Sequence, residues 1–176
     1  VKKVQDLSSV PIIGHLEGIC HTYIDKDADL NMAIKVVHNA KLRNTSICGA
    51  TETILMHKKI VKKFCDPILG KLTNNNCKIF ADNIIKKNFN GKSNLAKEKD
   101  WSTEYLSAKV SVKSVNNIID AINHINKYGT MNMVHFRTLT QTFTLSCTKL
   151  QKIQIGTICW SKTSVIDTQF PLTFSY

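Results

Sequence analysis

Asn39-Ala40-Lys41-Leu42-Arg43-Asn44-Thr45-Ser46-Ile47-Cys48-Gly49-Ala50-Thr51-Glu52-Thr53-Ile54-Leu55-Met56-His57 is the stretch on which the fold turns. An apolar-periodic segment leads into it, a short polar loop with a glycine surrounds Cys48, and an extended apolar run over residues 53–56 leaves it. Helix, loop and strand in that order are the repeating unit of an α/β protein. A thiol at such a junction is placed for nucleophilic chemistry, because loop ends carry unpaired backbone N–H groups that stabilise a thiolate or an oxyanion. From composition alone the same Cys48 reads as a buried core thiol, since cysteine is among the most buried residue types.

Working outward, residues 10–14 and 19–24 are β-branched and aromatic and read as two short buried strands, with residues 14–18 turning between them. Asp27-Ala28-Asp29-Leu30 supplies a cap and an acidic first turn. Leu30, Ala33, Ile34 and Val37 then recur at i, i+3, i+4 and i+7, which predicts an amphipathic helix ending near Lys41. Downstream, Ile60, Val61, Phe64, Ile68 and Leu69 take helical spacing over 58–72, with Lys58, Lys59, Lys62 and Lys63 as the wet face. Thr73-Asn74-Asn75-Asn76 stops that helix, residues 77–81 form a strand, and the Lys- and Asn-rich residues 86–100 around Gly91 read as a loop. Residues 110–115 alternate as a strand. Asn116 then caps a helix with Ile118, Ile119, Ile122 and Ile125 inward, closed by Tyr128-Gly129. The whole predicts an α/β fold, a mainly parallel sheet flanked by helices.

At 176 residues and 43% hydrophobic, the chain can bury a core of its own. No apolar run approaches the roughly 20 residues of a membrane span, and Val1-Lys2-Lys3-Val4 opens no signal sequence, so the reading is a cytoplasmic protein. The net charge of +11 raises nucleic acid as a partner. Only Arg43 and Arg137 supply the fork that base and phosphate recognition favours, and Lys, Asn and Ile together make up 57 residues, the profile of an AT-rich genome. The charge therefore reads as a solvated lysine surface. Six cysteines stand without a C-x-x-C pair, and Cys20, His21 and Cys48 lack a fourth ligand, so no metal site is expected. No G-x-G-x-x-G and no P-loop occurs.

Val10-Pro11-Ile12-Ile13-Gly14-His15-Leu16-Glu17-Gly18-Ile19-Cys20-His21, Ala28-Asp29-Leu30-Asn31-Met32-Ala33, Asn39-Ala40-Lys41 and Cys48-Gly49-Ala50-Thr51-Glu52-Thr53 closely resemble blocks of gamma-glutamyl phosphate reductase, in the aldehyde dehydrogenase superfamily. Asp100-Trp101-Ser102-Thr103-Glu104-Tyr105-Leu106 and Ala121-Ile122-Asn123-His124-Ile125-Asn126-Lys127-Tyr128-Gly129 resemble its downstream blocks, so the likeness is collinear over roughly residues 8–130. The resemblance implies the catalytic-domain portion of the aldehyde dehydrogenase fold. It also implies the family's reaction, NADPH-dependent reduction of gamma-glutamyl phosphate to glutamate semialdehyde with release of phosphate, a step of proline biosynthesis. In that reaction Cys48 would be the nucleophile: the thiolate attacks the acyl phosphate, phosphate leaves, and the thioester accepts a hydride. Glu104 would hold the nicotinamide ribose hydroxyls of NADP. Lys41 and Arg43 would lie near the anionic substrate, and homo-oligomers are within the family's range.

Two departures accompany the resemblance. The family generally has arginine where Asn44 stands, so Arg43 is displaced by one. After Gly129 it expects a small hydroxyl residue, a spacer, a His, a Ser or Thr and an acid, whereas this chain has Thr130, Met131, Asn132, Met133 and Val134. Most of the NADPH-binding domain would precede Val1. Residues 1–130 are thus expected to be a partial catalytic domain of a truncated or degenerate member, a possible pseudogene product, impaired as a reductase by itself. Residues 131–176, with Asp167 as their one acidic residue, are expected to be an irregular, divergent tail. There the alternation of Phe136, Thr138, Thr140, Thr142 and Thr144 suits a strand and suits unselected sequence equally. The alternative function is a non-catalytic basic module that binds a partner chain or a polyanion.

Overall fold

In the computed structural model, the described residues are 7–8 and 18–129, together with the backbone of Val134–Arg137. Six strands form one parallel sheet in the order β4-β3-β5-β2-β1-β6: β1 is Cys20–Ile24, β2 Thr51–His57, β3 Lys78–Ala81, β4 Asn94–Leu95, β5 Lys109–Val115 and β6 Val134–Arg137. The helices are α1 (Leu30–Leu42), α2 (Val61–Thr73), α3 (Asn83–Asn88) and α4 (Ile118–Tyr128), with single 3-10 segments at Lys58–Ile60 and Glu98–Ser102. The predicted α/β class is therefore the observed one.

Helices cover both faces, which is why every residue of β1 and β2 is buried and neither strand alternates with polar residues. On one face Ile24, Ile54, Met56, Ile79, Val110 and Val112 pack beneath Ala33 and Val37 of α1, Phe64, Ile68 and Leu72 of α2 and Ile85 of α3. On the other, Tyr23, Leu55 and Val115 meet Ala121 and Ile125 of α4. Asp29 caps α1 as expected, its carboxylate accepting from Met32 N–H at 2.8 Å. The expected stop after Thr73 is made by Asn76 at φ 59°, a left-handed position that asparagine tolerates. Lys58, Lys59, Lys62 and Lys63 are exposed, as a wet face should be.

Three expectations need correction. Residues 86–100 are not one loop: α3 runs into them from Asn83, and β4 adds an edge strand. The helix forms because Asp82 caps Ile85 N–H at 2.7 Å while its second oxygen accepts from both Ser114 N–H and Ser114 Oγ. A cap anchored by a distant strand leaves no local signal. The cap of α4 is Asn117, which accepts from Asp120 N–H, while Asn116 donates its side-chain amide to the Asp120 carboxylate. Ile119 faces outward at 55% exposure and Ala121 takes the inward position, because four isoleucines cannot all lie on the one stripe of α4 that meets the sheet. The predicted strand over residues 10–14 and the tail outside Val134–Arg137 lie beyond the described residues.

Among the described residues no helix is long and apolar enough to cross a membrane, and no group of three His, Cys, Asp or Glu could hold a metal ion.

Candidate active site

Cys48 stands exposed in the turn between α1 and β2, at the amino-terminal end of the sheet. The turn is closed by Ala50 N–H donating to Ile47 at 3.0 Å, and Asn44 accepts from Ser46 N–H at 3.1 Å. The buried Cys20 thiol donates to the Cys48 carbonyl at 3.0 Å. Gly18 packs directly against the same residue. A methyl group there would sit 2.6 Å from the Cys48 carbonyl oxygen and 2.9 Å from its Cα. Gly18→Ala is accordingly expected to displace the Cys48 turn and destabilise the fold by roughly 1–3 kcal/mol. Urea melts alongside the rate of Cys48 alkylation check this, and an unchanged melt with unchanged alkylation would contradict the close packing.

Beneath the turn lies a buried ion pair. Lys41, in the last turn of α1, reaches Glu52 of β2 at 2.6 Å, and both side chains are 0% exposed. The β1–β2 register explains how Glu52 gets there: Cys20 pairs with Thr51 but His21 with Thr53, so Glu52 is the extra residue of a bulge. The other Glu52 oxygen accepts from Leu106 N–H at 3.4 Å, where the chain takes the left-handed φ of 47°. Burial raises the Glu52 carboxyl above the usual range, opposed by the ammonium of Lys41.

One carboxylate thus joins α1, β2 and the segment that precedes β5, and Glu104 lies on that segment, partly buried. Tyr105 fastens the same segment. Its hydroxyl donates to Asp100 at 3.0 Å and lies 2.9 Å from Ser111 Oγ, and its ring stacks on Phe80. Because β2 and β5 run parallel, Cys48 and Glu104 emerge at the same end of the sheet.

The two cations expected near an anionic substrate are parted. Arg43 is exposed at the C-cap of α1, whereas Lys41 is sealed against Glu52. Lys41 is therefore placed to hold the scaffold and is not presented to solvent. Sequence reading did not find this pair, although Asn-Ala-Lys and Ala-Thr-Glu both stood in the quoted stretch. Their eleven-residue separation crosses a turn, and only the fold brings them together.

Behind the site, on the α4 face, His21 and His124 meet edge to face at 5.5 Å between ring centres. His21 Nδ1 lies 3.0 Å from the Ile19 carbonyl. Lys113 Nζ lies 3.2 Å from His124 Nδ1, which makes that nitrogen the acceptor and His124 neutral. Burial lowers His21 to about 4 and His124 to about 3. Unfolded histidine titrates near 6.5, so below that pH the unfolded chain binds protons that the native chain does not. Stability is then full above about pH 6.5 and falls as the pH drops toward 4, by on the order of 3 kcal/mol for His21. Denaturant midpoints at pH 7 and pH 5 should show this, with His21→Gln flattening the slope. A midpoint independent of pH in that window would contradict the buried neutral pair.

No protein-family model matches the chain. The gamma-glutamyl phosphate reductase of Bartonella tribocorum is 49% identical over 129 residues, covering 73% of this chain and 31% of that protein. In the crystal structure of gamma-glutamyl phosphate reductase from Thermotoga maritima, the likeness covers 86% of this chain and 36% of that one, with a TM-score of 0.75 and 32% identity. The chain resembles part of a gamma-glutamyl phosphate reductase. It spans about a third of the length of the curated relatives it matches. An acetylating aldehyde dehydrogenase from Geobacillus thermoglucosidasius shares the fold, with a TM-score of 0.55, 16% identity, and coverage of 82% of this chain and 41% of its own. The resemblance to gamma-glutamyl phosphate reductase and the aldehyde dehydrogenase fold, both expected from the sequence blocks, are thereby shown.

Proposed function

We propose that this chain carries the thiol half of a gamma-glutamyl phosphate reductase site and that Cys48 is its nucleophile. The observation behind the reading is the exposed Cys48 on a turn whose base, the buried Lys41–Glu52 pair, also holds the segment of Glu104. As thiolate, Cys48 attacks the acyl carbon of gamma-glutamyl phosphate, the acyl–phosphate bond breaks, phosphate leaves, and a thioester remains on the sulfur. Sulfur serves here because a thioester accepts hydride more readily than a carboxylate does.

Glu104 suits a nicotinamide nucleotide. It is a partly buried carboxylate at the thiol's end of the sheet, able to accept hydrogen bonds from ribose hydroxyls. When bound, NADPH supplies the hydride. Lys41 acts through Glu52 as a positioning residue and does not bind substrate. Arg43, exposed beside the turn, is the cation left to meet an anionic group.

The chain by itself is proposed to acylate and to be impaired in the full reduction. It contains no glycine-rich dinucleotide fingerprint, and Asn132, Met133 and Val134 stand where the family's motif has a His, a Ser or Thr and an acid. The experiment is phosphate release from gamma-glutamyl phosphate by the purified chain, with NADPH absorbance followed in the same sample.

A further inference from the structure

Cys48 does not stand alone. Cys20, the first residue of β1, is 0% exposed, and its sulfur lies 3.0 Å from the carbonyl oxygen of Cys48 itself. The chain at Gly18 also packs against Cys48, leaving no room for a side chain, since a methyl group there would lie 2.9 Å from Cys48 Cβ. The register slip between Cys20 and His21 sets Cys20 at the start of β1, across from Thr51 and against the Cys48 turn. That turn is a short polar loop closed by the Ala50–Ile47 hydrogen bond, so turning the Cys48 side chain toward Cys20 disturbs little regular structure.

We infer that Cys20 is a resolving thiol for Cys48, and that hydroperoxides convert the two into a disulfide. In the first step the Cys48 thiolate attacks one peroxide oxygen. The O–O bond breaks, water or an alcohol leaves, and Cys48 becomes a sulfenic acid. In the second step Cys20 sulfur attacks Cys48 sulfur, the S–O bond breaks and water leaves, so the two thiols are oxidised and one peroxide is reduced. The linkage blocks the nucleophile and stops it short of irreversible sulfinic acid, and a dithiol restores it. Cys65 and Cys77 do not compete: burial raises their thiols to about 12 and about 11, which leaves almost no thiolate at neutral pH. This inference rests on the contact of the Cys20 sulfur with the Cys48 backbone and stands whether or not the chain reduces an acyl phosphate.

The test uses the full purified chain and hydrogen peroxide. Lys26, Arg43 and Lys58 let trypsin place Cys20 and Cys48 on separate peptides, so non-reducing mass spectrometry reads the link directly. The expected result is a Cys20–Cys48 linked pair that dithiothreitol releases. In Cys20→Ala the link is lost, and Cys48 sulfinic acid rises severalfold at equal peroxide. Should Cys20→Ala fail to fold, the native chain still decides, through the ratio of linked peptide to Cys48 sulfinic acid as peroxide is raised. Sulfinic acid accumulating on Cys48 without a linked peptide overturns the inference, as does a Cys48 link predominantly to another cysteine.

Discussion

Cys48→Ala should leave the fold intact and remove phosphate release from gamma-glutamyl phosphate by at least roughly 10³-fold, the scale on which nucleophile deletions act. The reason for intact folding is exposure: Cys48 contributes its backbone to the Cys20 and Gly18 contacts but buries little side chain. The native chain is expected to release a burst of phosphate close to one per chain and then stop, because the thioester persists until hydride or water removes it. NADPH absorbance should stay flat in both samples. A native chain that showed no burst would remove Cys48 from the nucleophile role. Steady NADPH oxidation that depended on Cys48 would instead show the reductase whole, and would overturn the reading that this chain is impaired.

The second large effect concerns stability. Lys41→Met removes one partner of a fully buried pair and strands the Glu52 carboxylate, at a cost of roughly 3–5 kcal/mol. Against a total stability of roughly 5–15 kcal/mol that is a large fraction, and the thermal midpoint should fall by roughly 10 °C. Glu52 also receives Leu106 N–H, so the loss is expected to loosen the Glu104 segment, seen as faster amide exchange at residues 103–106. Lys41→Met combined with Glu52→Gln should recover much of the stability: the amide is neutral and its carbonyl still accepts from Leu106. A single variant within about 0.5 kcal/mol of the native chain would show the pair is not a stabilising junction.

How much was legible in the sequence depended on whether a signal was local. Apolar spacing over Ala33 and Val37, or over Phe64, Ile68 and Leu69, repeats within a few residues, and the observed helices bury those positions. Asp29 announced its cap for the same reason. α3 was missed because its cap is held by Ser114 from a distant strand, and β4 because an edge strand of two exposed residues, Asn94 and Leu95, has no buried face to pattern. Ile119 was placed inward because isoleucine favours burial, but the single face that α4 presents to the sheet overrode that preference.

For the site, the sequence by itself determined where the proposed nucleophile lies: a cysteine between a helical and an extended pattern, within blocks whose order matched one family. Only the tertiary structure decided what surrounds it. Lys41 became a scaffold cation because a bulge turned Glu52 toward it, and Cys20 became a neighbour of Cys48, twenty-eight residues away in sequence, because β1 and β2 pair in parallel. Burial and partner choice depend on long-range pairing, and long-range pairing has no residue-by-residue signature.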